Sequence, residues 1–177
     1  MIEVRVHGRG GQGGVTFVEL LAKAAGLDGK YVQAFPSFGP ERTGAPVKAF
    51  CRIDNIPVTL RSQIYSPDFV VVLDPSLLDL PEVIEGIKPE TVIIVNSDKG
   101  IELNIKNKVY TIDATKLAME ILGRPITNTA MLGAFIKVLG LVKLESVLKT
   151  IDEKFPEKIA EPNKKLISQS YELMVVD

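Results

Sequence analysis

The chain has 177 residues, 46% of them apolar and 24% charged, with a formal net charge of -1. That length suits one domain, and that balance suits an ordinary folded protein rather than a disordered one. A charge so close to zero gives no electrostatic reason to expect nucleic acid or an acidic membrane surface as partner.

Residues 2–7 alternate apolar and polar side chains and fit a strand, not the basic start and apolar run of a secretion signal. Glycines follow at once (Gly8, Gly10, Gly11, Gly13, Gly14), and residues 15–27 then show helical spacing of Phe17, Leu20, Leu21, Ala24 and Ala25. Asp28-Gly29-Lys30 is a turn with Gly29 as C-cap, and residues 31–35 form a second strand. Strand, glycine turn, helix and strand make the core of a crossover in a parallel sheet.

Residues 36–46 form a loop rich in proline and glycine. Residues 47–53 and 57–61 read as two strands joined at Asp54-Asn55, an antiparallel hairpin inserted in a parallel pattern. Residues 69–73, 91–95 and 109–112 are apolar runs of the kind buried on both faces of a parallel sheet. They end in Asp74, Asn96 and Asp113, where open α/β sheets place ligand-contacting groups. Helices follow over 115–122, 130–139, 144–155 and 158–174. The expected fold is α/β: one Rossmann-like, three-layer domain spanning 1–177, with a mostly parallel sheet, a β-hairpin insertion and a helical C-terminal portion. No apolar stretch approaches the ~20 residues of a membrane span, so the cytoplasm is the expected location.

Gly8-x-Gly10-x-x-Gly13 lies between strand and helix, the context of a dinucleotide fingerprint. Glycines let backbone approach a phosphate, and a helix start offers free N–H donors. A nicotinamide site also wants an acid at the end of the second strand, and here that strand ends Gln33-Ala34-Phe35, with Asp28 before it. Dinucleotide, another anion and a purely structural turn all stay open. His7, the only histidine, has no catalytic partner in the sequence and suits a positional role. Cys51 reads as a buried structural thiol and cannot by itself hold a cluster or a zinc ion. The loop at 35–46 carries Phe38, Glu41, Arg42 and Thr43, suited equally to a solvated surface or to contact with a partner or anion. Thr127, Asn128 or Thr129 could cap a helix of small residues, or touch ligand. No nucleophile elbow, P-loop lysine or metal cluster is evident, and the lack of a catalytic constellation suggests a subunit.

His7-Gly8-Arg9-Gly10-Gly11-Gln12-Gly13-Gly14, Tyr31-Val32-Gln33-Ala34-Phe35-Pro36, Phe38-Gly39-Pro40-Glu41-Arg42-Thr43-Gly44-Ala45-Pro46 and Asn128-Thr129-x-Met131-Leu132-Gly133 together resemble the gamma subunits of pyruvate:ferredoxin oxidoreductases. The Glu-Arg-Thr-Gly-Ala-Pro form is similar to the pyruvate branch; a related 2-oxoacid enzyme (2-oxoglutarate or 2-oxoisovalerate) and a free-standing dinucleotide-binding protein are the alternatives. The resemblance implies a holoenzyme that converts pyruvate and coenzyme A to acetyl-CoA and carbon dioxide while reducing ferredoxin. It implies thiamine diphosphate with Mg2+ and [4Fe-4S] clusters on other subunits, no cofactor in this chain, and alpha, beta and delta subunits as partners, with a homodimer possible in isolation. Gly8, Arg9, Gly10, Gly11, Gln12, Gly13, Arg42, Thr43, Asn128 and Thr129 are then the expected coenzyme A contacts, and Phe38, Glu41 and Arg42 the expected partner contacts.

Overall fold

A computed structural model of the chain describes residues 1–37 and 43–176. In chain order the elements are β1 (Ile2–Arg9), α1 (Gly14–Leu27), β2 (Tyr31–Pro36), β3 (Pro46–Asp54), β4 (Phe69–Val72), a 3-10 turn (Pro75–Asp79), α2 (Pro81–Ile84), β5 (Val92–Asn96), β6 (Val109–Ile112), α3 (Ala114–Leu122), α4 (Asn128–Leu139), α5 (Leu144–Lys154) and α6 (Glu157–Leu173). The strands form one sheet in the order β2-β3-β1-β4-β5-β6.

β1, β4, β5 and β6 run parallel, as the crossover after β1 and the apolar runs of the other three predict. The antiparallel element is real, but its partners differ from the expectation. β3 pairs with β1 on one side and with β2 on the other. Residues 57–61 form no strand; they belong to a segment lying against the sheet, where Gln33 Nε2 donates to the Leu60 carbonyl over 2.7 Å. The hairpin is therefore β2–β3, closed by the loop after Pro36. β2 still runs parallel to β1, but one strand further out, with β3 between them.

The two sheet faces are covered unequally. Val4, Val6, Val71 and Ile94 face a large core shared with α1 and α3–α6, including Phe17, Leu21, Phe135 and Leu166. Phe135 meets Phe17 and Phe69 edge-on, at centroid distances of 5.6 and 5.5 Å. α4 lies against α6 so closely that a Cβ on Gly133 would come within 2.3 Å of the Ile167 carbonyl. On the opposite face Val70, Val72, Ile93 and Val95 are covered by Leu77 and Val83 from the 3-10 turn and α2, flanked by Ile101, Leu103 and Ile105. This thin third layer does not extend over the β2–β3 half, where the same face carries Gln33, Lys48 and Arg52 beside the packed rings of Phe35 and Phe50.

Helix ends follow local chemistry. At the end of α1, Gly29 takes φ +79°; its N–H donates to Gly26 and that of Lys30 to Ala25, the paired bonds of a Schellman stop. Asp28 then accepts from the Lys143 N–H (2.7 Å) and the Ser146 hydroxyl (2.5 Å), fastening the end of α1 to the start of α5.

Candidate functional site: the glycine turn

The turn between β1 and α1 is held on three sides. Gly10 N–H donates to the Ala45 carbonyl (2.8 Å), and Gly44 N–H donates back to Gly10 (3.0 Å), so Gly10 and Thr43 form a β-bridge. Glycine turn and proline-rich loop are thereby one structure at the loop's described end. Phe38, Glu41 and Arg42, the expected partner and anion contacts, lie outside the described residues.

Below the turn, Arg9 Nε donates to Asp74 Oδ2 (3.1 Å), Nη2 to the Ser76 hydroxyl (2.8 Å) and Nη1 to the Gly44 carbonyl (3.1 Å). Gln12 closes the ring: its Oε1 accepts from Arg9 N–H (2.7 Å) and its amide donates to Asp74 Oδ2 (3.0 Å). Burial alone would raise the Asp74 carboxyl. Hydrogen bonds from the Ser76 hydroxyl, the Gln12 amide and the Ser76 N–H, together with the Arg9 charge, hold it below its ordinary value. Arg9 and Gln12 therefore shape the turn, and in this arrangement Arg9's charge is matched by a carboxylate.

What the turn offers outward is backbone. Gly11 and Gly13 take φ +93° and +79°, a region open to glycine at little cost. α1 starts with no side-chain cap, so its first N–H groups are left as donors with partial positive charge. The start of α4 lies against the same point: Asn128 Nδ2 donates to the Gly13 carbonyl over 3.4 Å, and a Cβ on Gly13 would come within 2.4 Å of that nitrogen. Asn128 is 6% exposed, and its Oδ1 is buried without a hydrogen bond among the described residues.

Gly8, Arg9, Gly10, Gly11, Gln12, Gly13, Thr43 and Asn128 thus come together. Thr129 does not join them. Its hydroxyl donates to Asn163 Oδ1 (2.8 Å), tying α4 to α6 in the core. Neither Thr127 nor its neighbours caps α4 through a side chain; the helix simply starts two residues earlier than its apolar run.

The polar strand ends are spent on structure. Asp74 and Asp113 cap the following turn and helix, and Asn96 Nδ2 bridges the Leu73 carbonyl and the Thr115 hydroxyl, 3.0 Å each. Beside them opens a cleft of about 410 Å³ lined by Asn96, Asp98, Asp113, Thr115 and Lys116. Among the described residues a nicotinamide ribose has no acid at the end of β2: Asp28 is committed to α5, and β3 separates the glycine strand from β2.

His7 is buried, and its Nε2 accepts from Arg5 Nε over 3.0 Å. Burial, with the charges of Arg5 and Lys48, pushes its pKa down to about 3, so it is a neutral acceptor and not an acid/base. Burial pushes the Cys51 thiol up to about 12, as befits a structural cysteine. Among the described residues no group of three His, Cys, Asp or Glu is arranged to hold a metal, and no helix is long and apolar enough to cross a membrane.

The family model for pyruvate ferredoxin/flavodoxin oxidoreductase matches residues 3–173. The chain belongs to that family. A pyruvate synthase subunit PorC from Methanothermobacter thermautotrophicus is 56% identical over 97% of this chain and 95% of its own length. The pyruvate/ketoisovalerate oxidoreductases common subunit gamma from Pyrococcus furiosus is 54% identical over 97% and 96%. The crystal structure of pyruvate oxidoreductase subunit PORC from Thermotoga maritima superposes with a TM-score of 0.86 at 40% identity, covering 97% of this chain and 95% of that one. The oxidoreductase fold described above is thus that of a subunit whose relatives match it nearly end to end.

Sequence reading missed Arg5 and Arg52, the two arginines buried in the sheet. Arg52 is 1% exposed and bonds Glu3 (2.8 Å), Gln33 (2.9 Å) and the carbonyls of Ser62 and Gln63. The only signal was the run of polar residues at every second position, which reads equally as a solvated face.

Proposed function

We propose that the chain is the gamma-type subunit of a pyruvate:ferredoxin oxidoreductase, assembled with larger subunits that carry thiamine diphosphate and iron–sulfur clusters. The observation that carries this is the end-to-end identity of 54–56% with subunits of pyruvate synthase and pyruvate/ketoisovalerate oxidoreductase. The chain's own chemistry agrees: a single buried cysteine cannot ligate a cluster, so redox steps belong to neighbours. The assembly expected from the family comprises alpha, beta and delta subunits, with ferredoxin docking on the complex in the cytoplasm.

Within it the glycine turn would bind coenzyme A. Backbone N–H groups at the start of α1 suit a phosphate, whereas Arg9, already matched by Asp74, serves as a brace. Arg42 and Thr43 would complete the contact from the loop. The neighbouring cleft, lined by Asp98 and Asp113 against a single Lys116, suits a phosphate less well than the turn does. Purification from native extract should bring down larger chains and a brown colour; a colourless chain without partners refutes the assignment. Gly10→Val and Arg42→Ala in the complex should each raise the KM for coenzyme A, and unchanged values in both would remove the turn from substrate binding.

A shared subunit is the second reading, favoured by the Pyrococcus furiosus relative's being common to pyruvate and ketoisovalerate enzymes. Pull-down would then recover two sets of larger chains.

A further inference from the structure

On the thinly covered sheet face, away from the glycine turn, lies a second cleft of about 380 Å³, lined among others by Arg5, Lys48, Gln63, Tyr65, Ser66 and Glu85. The register explains its charge. His7 pairs with Lys48 and Arg5 with Phe50, so alternate residues of β1 and β3 place Arg5, His7 and Lys48 on one face. The far wall is close-fitting. Gly86 takes φ +71°, and a Cβ there would lie 2.1 Å from the Tyr65 carbonyl, so the turn after α2 abuts the segment carrying Tyr65 and Ser66.

Two buried arginines on this face are treated differently. Arg52 has its carboxylate, Glu3, at 2.8 Å. Arg5 is 4% exposed and has no ion pair among the described residues. Its Nη2 donates to the carbonyls of Val83 (3.0 Å) and Glu85 (2.8 Å) and its Nε to His7, while Nη1 makes no hydrogen bond within the described chain and is not among the polar atoms sealed from solvent. Burial weakens its hold on the proton, offset in part by the more distant Glu85 carboxylate. An uncompensated buried cation is costly, and a structure that orients it so fully on one edge keeps the other edge for an anion. Arg5, Lys48 and Glu85 leave the cleft with one net positive charge, which suits a monoanion over a phosphate dianion.

We infer that this cleft is a carboxylate-binding site, separate from the glycine turn, in which Arg5 Nη1 and the Lys48 ammonium hold one carboxylate. The carboxylate comes either from a free monocarboxylic acid or from an acidic side chain of an adjoining subunit. The volume admits both.

The test is a titration of the full chain with acetate at constant ionic strength, read at the Ile64 methyl groups, which line the cleft. Saturable shifts are expected with acetate and not with chloride, with phosphate weaker. Lys48→Met, at a half-buried position that leaves Arg5 and its bonds in place, should weaken acetate at least about tenfold, and Lys48→Arg should restore it. Absence of an acetate-specific shift, equal affinity in Lys48→Met, or tighter binding of phosphate overturns the inference. Repeating the titration in the assembled complex separates the sources. A retained response identifies a free acid; a response lost in the complex and regained on dissociation identifies a neighbour's side chain. The readout does not involve coenzyme A, so it stands or falls independently of the function proposed for the turn.

Discussion

Gly13 and Asn128, 115 positions apart, occupy one point in space: the Asn128 amide donates to the Gly13 carbonyl over 3.4 Å and fills the volume a Cβ on Gly13 would need. Through this contact the first crossover and the C-terminal helices meet at the glycine turn. Gly13→Ala combines a left-handed backbone with a collision and should cost about 1–3 kcal/mol in urea unfolding. Adding Asn128→Ala should recover part of that loss, because it deletes the colliding amide and an acceptor that has no partner among the described residues. Strictly additive effects in the double variant would show that the two residues are not coupled.

Asp74 sits at the centre of the turn's brace. Its folded pKa is lowered, so its contribution to stability is present above the unfolded value of about 3.9 and is lost as pH falls through the lower folded value. Asp74→Asn should destabilise the chain at neutral pH and flatten its acid limb below about pH 4. An acid limb identical to that of the parent would place the titrating carboxylates elsewhere.

His7 titrates in a different window. Its pKa falls from about 6.5 in the unfolded chain to about 3 when buried, so the unfolded state binds the extra proton between these values. Its contribution is therefore complete above pH 6.5 and declines as pH is lowered toward 3. His7→Gln should remove about one proton from the pH dependence of unfolding in this range. In the folded chain the imidazole resonances should stay unshifted down to pH 4; a midpoint near 6 by NMR would contradict its burial beside Arg5.

Cys51 is fully buried, with its thiol pushed up to about 12. Native chain should resist a thiol-modifying disulfide reagent over hours and react in one step on unfolding in urea, with a rate that follows unfolding. Rapid modification of the folded chain would mean that β3 opens locally.

Much of this architecture was legible in the residues. The run 109–112 is β6 without adjustment, and the starts and stops of α5 and α6 fall within one residue of their amphipathic patterns. Periodicity succeeds there because each element buries a face whose spacing matches its own geometry. It failed at 57–61, where a short apolar run read as strand while the Leu60 carbonyl instead accepts from the Gln33 side chain and the carbonyl of Ser62, just beyond, accepts from Arg52. The glycine turn was legible as a turn but its chemistry was not. Arg9 looked like an anion ligand, and only the arrival of Asp74 from just beyond β4, 65 positions on, turns it into a brace.

The residues alone were enough for the α/β class, the turn after β1 and the family, because glycine conformation and hydrophobic spacing act locally and the family's motifs are contiguous. Strand order, the insertion of β3 between β1 and β2, the meeting of Gly13 with Asn128 and the burial of Arg5 without an ion pair among the described residues came from the tertiary structure. Each depends on which distant segments share a surface, and pairing energies of that kind leave no trace in the spacing of any one stretch.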